Sequence, residues 1–187
     1  MKLALGTVQF GMKYGVSNTL GRVPTIQTKS ILKLANQNGI DTIDTAIAYG
    51  DSEALLGNLG METWKVITKL PPIPVDCANL SDWLEHQIDG ALKRLRCVKL
   101  YGLLLHRPAQ LLQPYGSELY NSLQSFKLRG LVEKIGVSIY DPTELDLLLS
   151  EFKLDLVQAP LSVLDRRLVE SGWLKKLKDC SIEVHTR

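Results

Sequence analysis

Cysteine is scarce in this chain of 187 residues, and its spacing excludes two classes. There are three cysteines, Cys77, Cys97 and Cys180, an odd number with no CxxC pair. That argues against a disulfide framework and against a zinc site. Three free thiols point to a reducing compartment, the cytoplasm. An excess of one charge is missing too: 22 Lys and Arg against 20 Asp and Glu leave a net charge of +2. A chain so balanced carries no polyelectrolyte signal, so neither nucleic acid nor a membrane surface is expected as a partner. No apolar run approaches the ~18 residues that cross a bilayer. The N-terminal MKLALGTVQFGMKYG has no apolar centre or small-residue cleavage site of the signal-peptide kind, and reads as a first strand.

What is present alternates. Apolar runs at 3–10, 40–46, 64–70, 98–106, 133–139, 154–160 and 181–186 read as strands. Between them, 25–38, 51–59, 81–95, 117–130, 141–152 and 167–179 carry helical periodicity. Thr25, Ser81 and Asp141 are expected caps, with Pro142 at the first helical position and Glu144 completing a capping box. The strands are continuous apolar runs, as in parallel sheets covered by helices on both faces. A doubly wound sheet and a TIM barrel compete. No GxGxxG opens the first helix, and polar residues end most strands, so the barrel is favoured. The expectation is one α/β domain over 1–187, a TIM-type barrel left incomplete at about seven parallel strands with six intervening helices. Its two open edges would invite self-association.

Asp44 and Lys69 end the second and third strands, Tyr49 follows in a loop, and His106 ends the fourth strand. Each alone has a plain structural reading. Together they supply carboxylate, phenol, ammonium and imidazole on successive strand ends. A carbonyl that accepts a hydride gathers negative charge on its oxygen, which needs a hydrogen-bond donor and then a proton. Tyr49 is the expected donor, Lys69 the charge that lowers its pKa, Asp44 the anchor of Lys69, and His106 a second donor that orients the carbonyl. A metal-dependent hydrolase is disfavoured, because clustered His and carboxylate ligands are missing.

The chain resembles the aldo-keto reductases. The matching pieces are GTVQFG (6–11), DTAIAYGDSEALLG (44–57), VITK (66–69), LLLH (103–106), IGVS (135–138) and VQAPLSVLDRR (157–167). The resemblance implies a TIM barrel, a nicotinamide cofactor (NADPH, with NADH also open) and reversible reduction of a small aldehyde or ketone. It carries catalytic roles onto Asp44, Tyr49, Lys69 and His106, and cofactor contacts onto Gly6, Thr7, Asp44, Ser138 and Gln158. Two departures stand out. The family commonly has Ser-Asn after strand five, and here Ser138 is followed by Ile139. The segments that clamp the adenosine phosphate in the family have no counterpart before Arg187. The alternative is therefore a catalytically weak or inert member that serves as a binding or regulatory subunit.

The other polar residues read as structural. Lys93, Arg94, Arg96 and Lys99 suit the end of the third helix, and Lys175, Lys176 and Lys178 a solvated face. His86 reads as a helix surface residue, while the direction of His185 stays open.

Overall fold

The computed structural model describes residues 2–187. Its strands are β1 (Leu5–Gly6), β2 (Thr42–Asp44), β3 (Lys65–Leu70), β4 (Leu100–Leu105), β5 (Val132–Ser138), β6 (Leu156–Ala159) and β7 (Glu183–Thr186). The helices are α1 (Val8–Gly11), α2 (Thr25–Gln37), α3 (Ser52–Leu59), α4 (Leu80–Leu95), α5 (Gly116–Leu128), α6 (Glu144–Glu151), α7 (Arg167–Glu170) and α8 (Trp173–Asp179). A 3-10 turn, Pro108–Leu112, follows β4.

All neighbouring strands pair in parallel, and their spatial order is their chain order. A doubly wound sheet would reverse direction at a switch point; this one never does. It also curls. Gln158 of β6 donates from Nε2 to Asp44 Oδ1 of β2 at 2.9 Å. On a flat sheet, strands four places apart would lie roughly 19 Å from each other. The fold is therefore an open-sided barrel of the TIM type, with β1 and β7 at its edges.

Alternation along the strands divides the side chains. Val66, Leu70, Leu103, Leu105, Ile135, Val137 and Val157 pack outward under the helices and form the main core. The apolar stripe of α4 meets them with Leu84, Ile88, Ala91 and Leu95, all fully buried. Each such leucine or isoleucine contributes about 1.5–3 kcal/mol. Inside the barrel, Ile67, Leu104 and Leu156 form a small second cluster capped by Tyr101. Beneath it lies a charged layer. Tyr101 Oη donates to Glu183 Oε2 at 2.7 Å, Lys134 pairs with the same carboxylate, and His185 Nε2 stands 2.6 Å from Glu183 Oε1. His185 thus faces inward. Burial opposes ionisation of Glu183, but its bonds to Lys134, Tyr101 and His185 outweigh burial and hold its pKa at about 2.

Several local expectations are corrected. The run 3–10 is not one strand: β1 stops at Gly6, Thr7 turns inward, and α1 buries Phe10. A short apolar run does not distinguish strand from helix. Thr25 is the first residue of α2 rather than its cap, and Pro24 precedes it. The cap of α4 is Asn79, whose side chain accepts from Asp82 N at 3.1 Å, so Ser81 lies inside the helix. The stretch 167–179 breaks into α7 and α8 at Gly172, whose φ of 78° is left-handed. Helix α6 begins at Glu144 with Thr143 before it, so Asp141 is not its cap and Pro142 lies outside the helix. In the turn that precedes it, Glu144 Oε1 accepts from Asp141 N at 2.9 Å and Asp141 Oδ1 from Thr143 N at 3.0 Å.

Candidate active site

The carboxyl ends of β2, β3, β4, β5 and β6 deliver Asp44, Lys69, His106, Ser138 and Gln158 to one rim. Parallel strands make this systematic: every strand enters at one end of the barrel and leaves at the other. Lys69 is the most buried of the ionisable groups there, with its side chain 1% exposed. Its Nζ donates to Asp44 Oδ1 at 2.6 Å and to Thr45 O at 2.9 Å. Burial pushes the pKa of Lys69 down, and the charge and hydrogen bond of Asp44 push it back up. Asp44 is therefore what makes an ammonium tolerable at this depth.

The end of β2 is itself held in place. Thr7 is buried, and both its backbone N–H and its Oγ1 donate to Asp44 O, at 3.0 and 2.9 Å. Ser52 Oγ donates back to Thr7. Thr7 thus fixes the backbone of Asp44, while Gly6 is exposed with open space around it.

Tyr49 follows β2 in a turn closed by Tyr49 N donating to Ala46 O at 3.0 Å. Its half-buried ring lies 5.1 Å from Lys69 Nζ, centroid to atom. The His106 ring meets it edge-on, with centroids 5.9 Å apart and planes at 74°. The four residues expected to act together do stand together. One electrostatic expectation reverses, however. Tyr49 is raised to about 12, first by burial and then by the charge of Asp44. Arg187 pulls the other way, but burial and Asp44 outweigh it. His106 is pushed below its ordinary value by burial first, then by the charges of Lys69 and Arg187. Phenol and imidazole are both neutral donors near neutral pH.

Ser138 and Gln158 are nearly fully buried and bonded to each other, Ser138 Oγ to Gln158 Oε1 at 3.1 Å. With the second bond of Gln158 to Asp44, a hydroxyl, an amide and a carboxylate form one connected chain along the rim. Those donors and acceptors suit a carboxamide, which offers one carbonyl and two N–H groups. Among the described residues no cluster of His, Cys, Asp and Glu is arranged to hold a metal, and no helix is long and apolar enough to cross a membrane.

A model of the aldo/keto reductase family matches residues 2–186. The chain belongs to that family. D-arabinose 1-dehydrogenase of Saccharomyces cerevisiae is 28% identical over 84% of the chain and 55% of its own length. Aflatoxin B1 aldehyde reductase member 2 of Rattus norvegicus is 29% identical over 73% of the chain and 36% of its own length. The chain thus spans about half or less of these curated relatives. Among solved structures, glycerol dehydrogenase of Gluconobacter oxydans superposes with a TM-score of 0.74 at 25% identity, over 98% of this chain and 58% of that one. A Pseudomonas aeruginosa protein assigned to the aldo-keto reductases superposes with a TM-score of 0.81 at 25% identity, over 98% and 71%.

One buried group escaped the sequence reading. Glu53 reads as a first-turn acid of α3 suited to the helix dipole, and Arg94 as one of a basic cluster at a helix end. Instead Glu53 is 1% exposed, accepts from Thr68 Oγ1 at 2.6 Å and pairs with Arg94 at 2.8 Å. It ties α3 to β3 and α4 behind the site. The only signal available was an acid inside the DSEALLG piece of the family resemblance.

Proposed function

We propose that this chain carries the catalytic rim of a nicotinamide-dependent carbonyl reductase, with NADPH the expected cofactor and NADH open. The observation that carries the reading is the buried Lys69–Asp44 pair at 2.6 Å with the Tyr49 ring directly over it and His106 at its edge. The cofactor supplies the hydride. Ser138 and Gln158 would hold its carboxamide. His106, neutral, donates a hydrogen bond to the substrate oxygen and orients it. Tyr49 donates a second bond and then its proton as the oxygen becomes an alkoxide, a stronger base than a phenolate. A raised pKa at Tyr49 suits that role: the proton stays in place until the carbonyl has been reduced. Asp44 and Lys69 hold the floor of the site.

The yeast and rat relatives are named for sugar and aldehyde oxidoreduction, which agrees with a small carbonyl substrate. Cys77, Cys97 and Cys180 are free thiols, in keeping with a cytoplasmic location. The test is NADPH consumption against a panel of aldehydes by wild type and Tyr49→Phe. Loss of the proton donor should cost ~10²–10⁴ in rate. Equal rates would remove Tyr49 from the mechanism, and a stably folded chain with no NADPH affinity would favour the binding or regulatory role.

A further inference from the structure

Arg187 continues the inward face of β7. Glu183 and His185 point into the barrel, and Arg187 stands two residues beyond His185, so it shares their side. Its backbone extends the ladder past the strand: Arg187 N donates to Ala159 O at 3.1 Å, and Arg187 O accepts from Leu161 N at 3.2 Å. Its guanidinium donates from Nη2 to Ile139 O at 3.0 Å and lies 4.6 Å from the centroid of the Tyr140 ring. Ile139 and Ala159 directly follow Ser138 and Gln158, so the guanidinium sits beside the pair assigned to the carboxamide. Among the described residues Arg187 joins no ion pair, and the rim's acid, Asp44, is already engaged by Lys69 and Gln158.

We infer that Arg187 selects the redox state of the nicotinamide, favouring the neutral reduced ring over the positively charged oxidised one. The inference rests on the proposed carboxamide site at Ser138 and Gln158. Its physics is one-sided. A guanidinium keeps its charge at every pH the fold survives. The oxidised ring carries a formal positive charge and the reduced ring carries none, so only the oxidised form is repelled. At a partly solvated rim, a like charge within a few Å changes the affinity ratio on the order of tenfold. Tyr49 and His106 feel the same charge: after burial and the acid and base nearer to them, Arg187 lowers the pKa of both. The site thereby favours loading of the reduced cofactor and release of the oxidised one, while the same charge opposes the positive charge that hydride donation builds on the ring.

The experiment is calorimetric titration of NADPH and of NADP+ into the full chain, as wild type, Arg187→Met and Arg187→Lys. Wild type should bind NADPH more tightly than NADP+. Arg187→Met should narrow that ratio on the order of tenfold, chiefly by tightening NADP+, and Arg187→Lys should restore it. An unchanged ratio in Arg187→Met overturns the inference and leaves the proposed reductase standing. Equal weakening of both nucleotides also overturns it, since Arg187 would then be holding the phosphates they share. No affinity of wild type for either nucleotide overturns the carboxamide site and the inference with it.

Discussion

A methyl group on Gly11 would stand 1.7 Å from the Tyr49 carbonyl oxygen and 2.6 Å from Ser52 N. The end of α1 and the Tyr49 turn touch backbone to backbone. Gly50 completes the contact: its φ is +55°, and a Cβ there would meet Gly11 O at 2.7 Å. Gly11→Ala must push the Tyr49 turn outward. The expected cost is about 1–3 kcal/mol in stability from overpacking, and ~10² in turnover, the usual penalty for a reacting group displaced by about 1 Å. Thermal melts and NADPH consumption check both. Gly6→Ala, where a Cβ meets nothing within 4 Å, should leave the melting temperature near wild type.

Asp44→Asn leaves Lys69 buried without its carboxylate. Breaking a buried pair from one side costs about 3–5 kcal/mol. Asp44→Asn combined with Lys69→Met removes the stranded ammonium and should recover part of that loss. The two substitutions are therefore expected to be strongly non-additive in stability. Denaturant unfolding of both single variants and the double variant measures the coupling. Purely additive losses would mean that the pair contributes nothing as a pair.

His106 governs the acid side of the pH profile. Its folded pKa is depressed, so the folded protein takes up this proton less readily than the unfolded chain does. Stability from this group is full above the unfolded value of about 6.5 and is lost as pH falls through the folded value. Activity should fall over the same window as the imidazole becomes charged. With Tyr49 at about 12, no alkaline decline from the phenol is expected below about pH 10. His106→Gln should flatten the His106 contribution to melting temperature as pH falls below about 6.5. An unaltered slope there would show that His106 does not titrate on unfolding.

Glu183 gives a second, separate pH signature. Its carboxylate is held at about 2 in the fold, below its ordinary 4.5. The stability it contributes is present above the unfolded value and lost as pH falls from there through about 2. Glu183→Gln should lower the melting temperature at pH 7, and the gap to wild type should narrow below about pH 4.5 and close only as pH falls through about 2. A gap that persists in acid would mean packing, rather than the charge, is what Glu183 provides.

Strands β1 and β7 each have one neighbour in the sheet. Unpaired edges recruit other strands, so the chain is expected to associate with a second copy as concentration rises. Sizing chromatography across a hundredfold concentration range checks this. A monodisperse monomer with a sharp thermal transition would count against it.

Much of this architecture was legible in the sequence, because buried parallel strands are continuous apolar runs and their polar ends mark the rim. Asp44, Lys69 and His106 fell at strand ends and landed together for that reason. What was not legible depended on tertiary contacts. Thr7 turns the chain inward because Asp44 O accepts two of its hydrogen bonds, which nothing within 3–10 announces. Asn79 replaces Ser81 as the cap of α4 through a single bond to Asp82 N. Glu53 is invisible as a buried acid until Arg94 and Thr68 arrive from other elements. The pKa of Tyr49 moves opposite to expectation because burial and the charge of Asp44 dominate it.

The Ile67, Leu104 and Leu156 cluster lies inside the barrel between the Glu183 layer and the rim that carries Lys69. An apolar layer between two sets of ionisable groups lets each set be altered with little effect on the other. Substitutions around Glu183 can adjust how firmly the wall holds, and substitutions around Tyr49 can adjust the chemistry. A lineage carrying this chain is free to change its reaction and its durability on separate schedules.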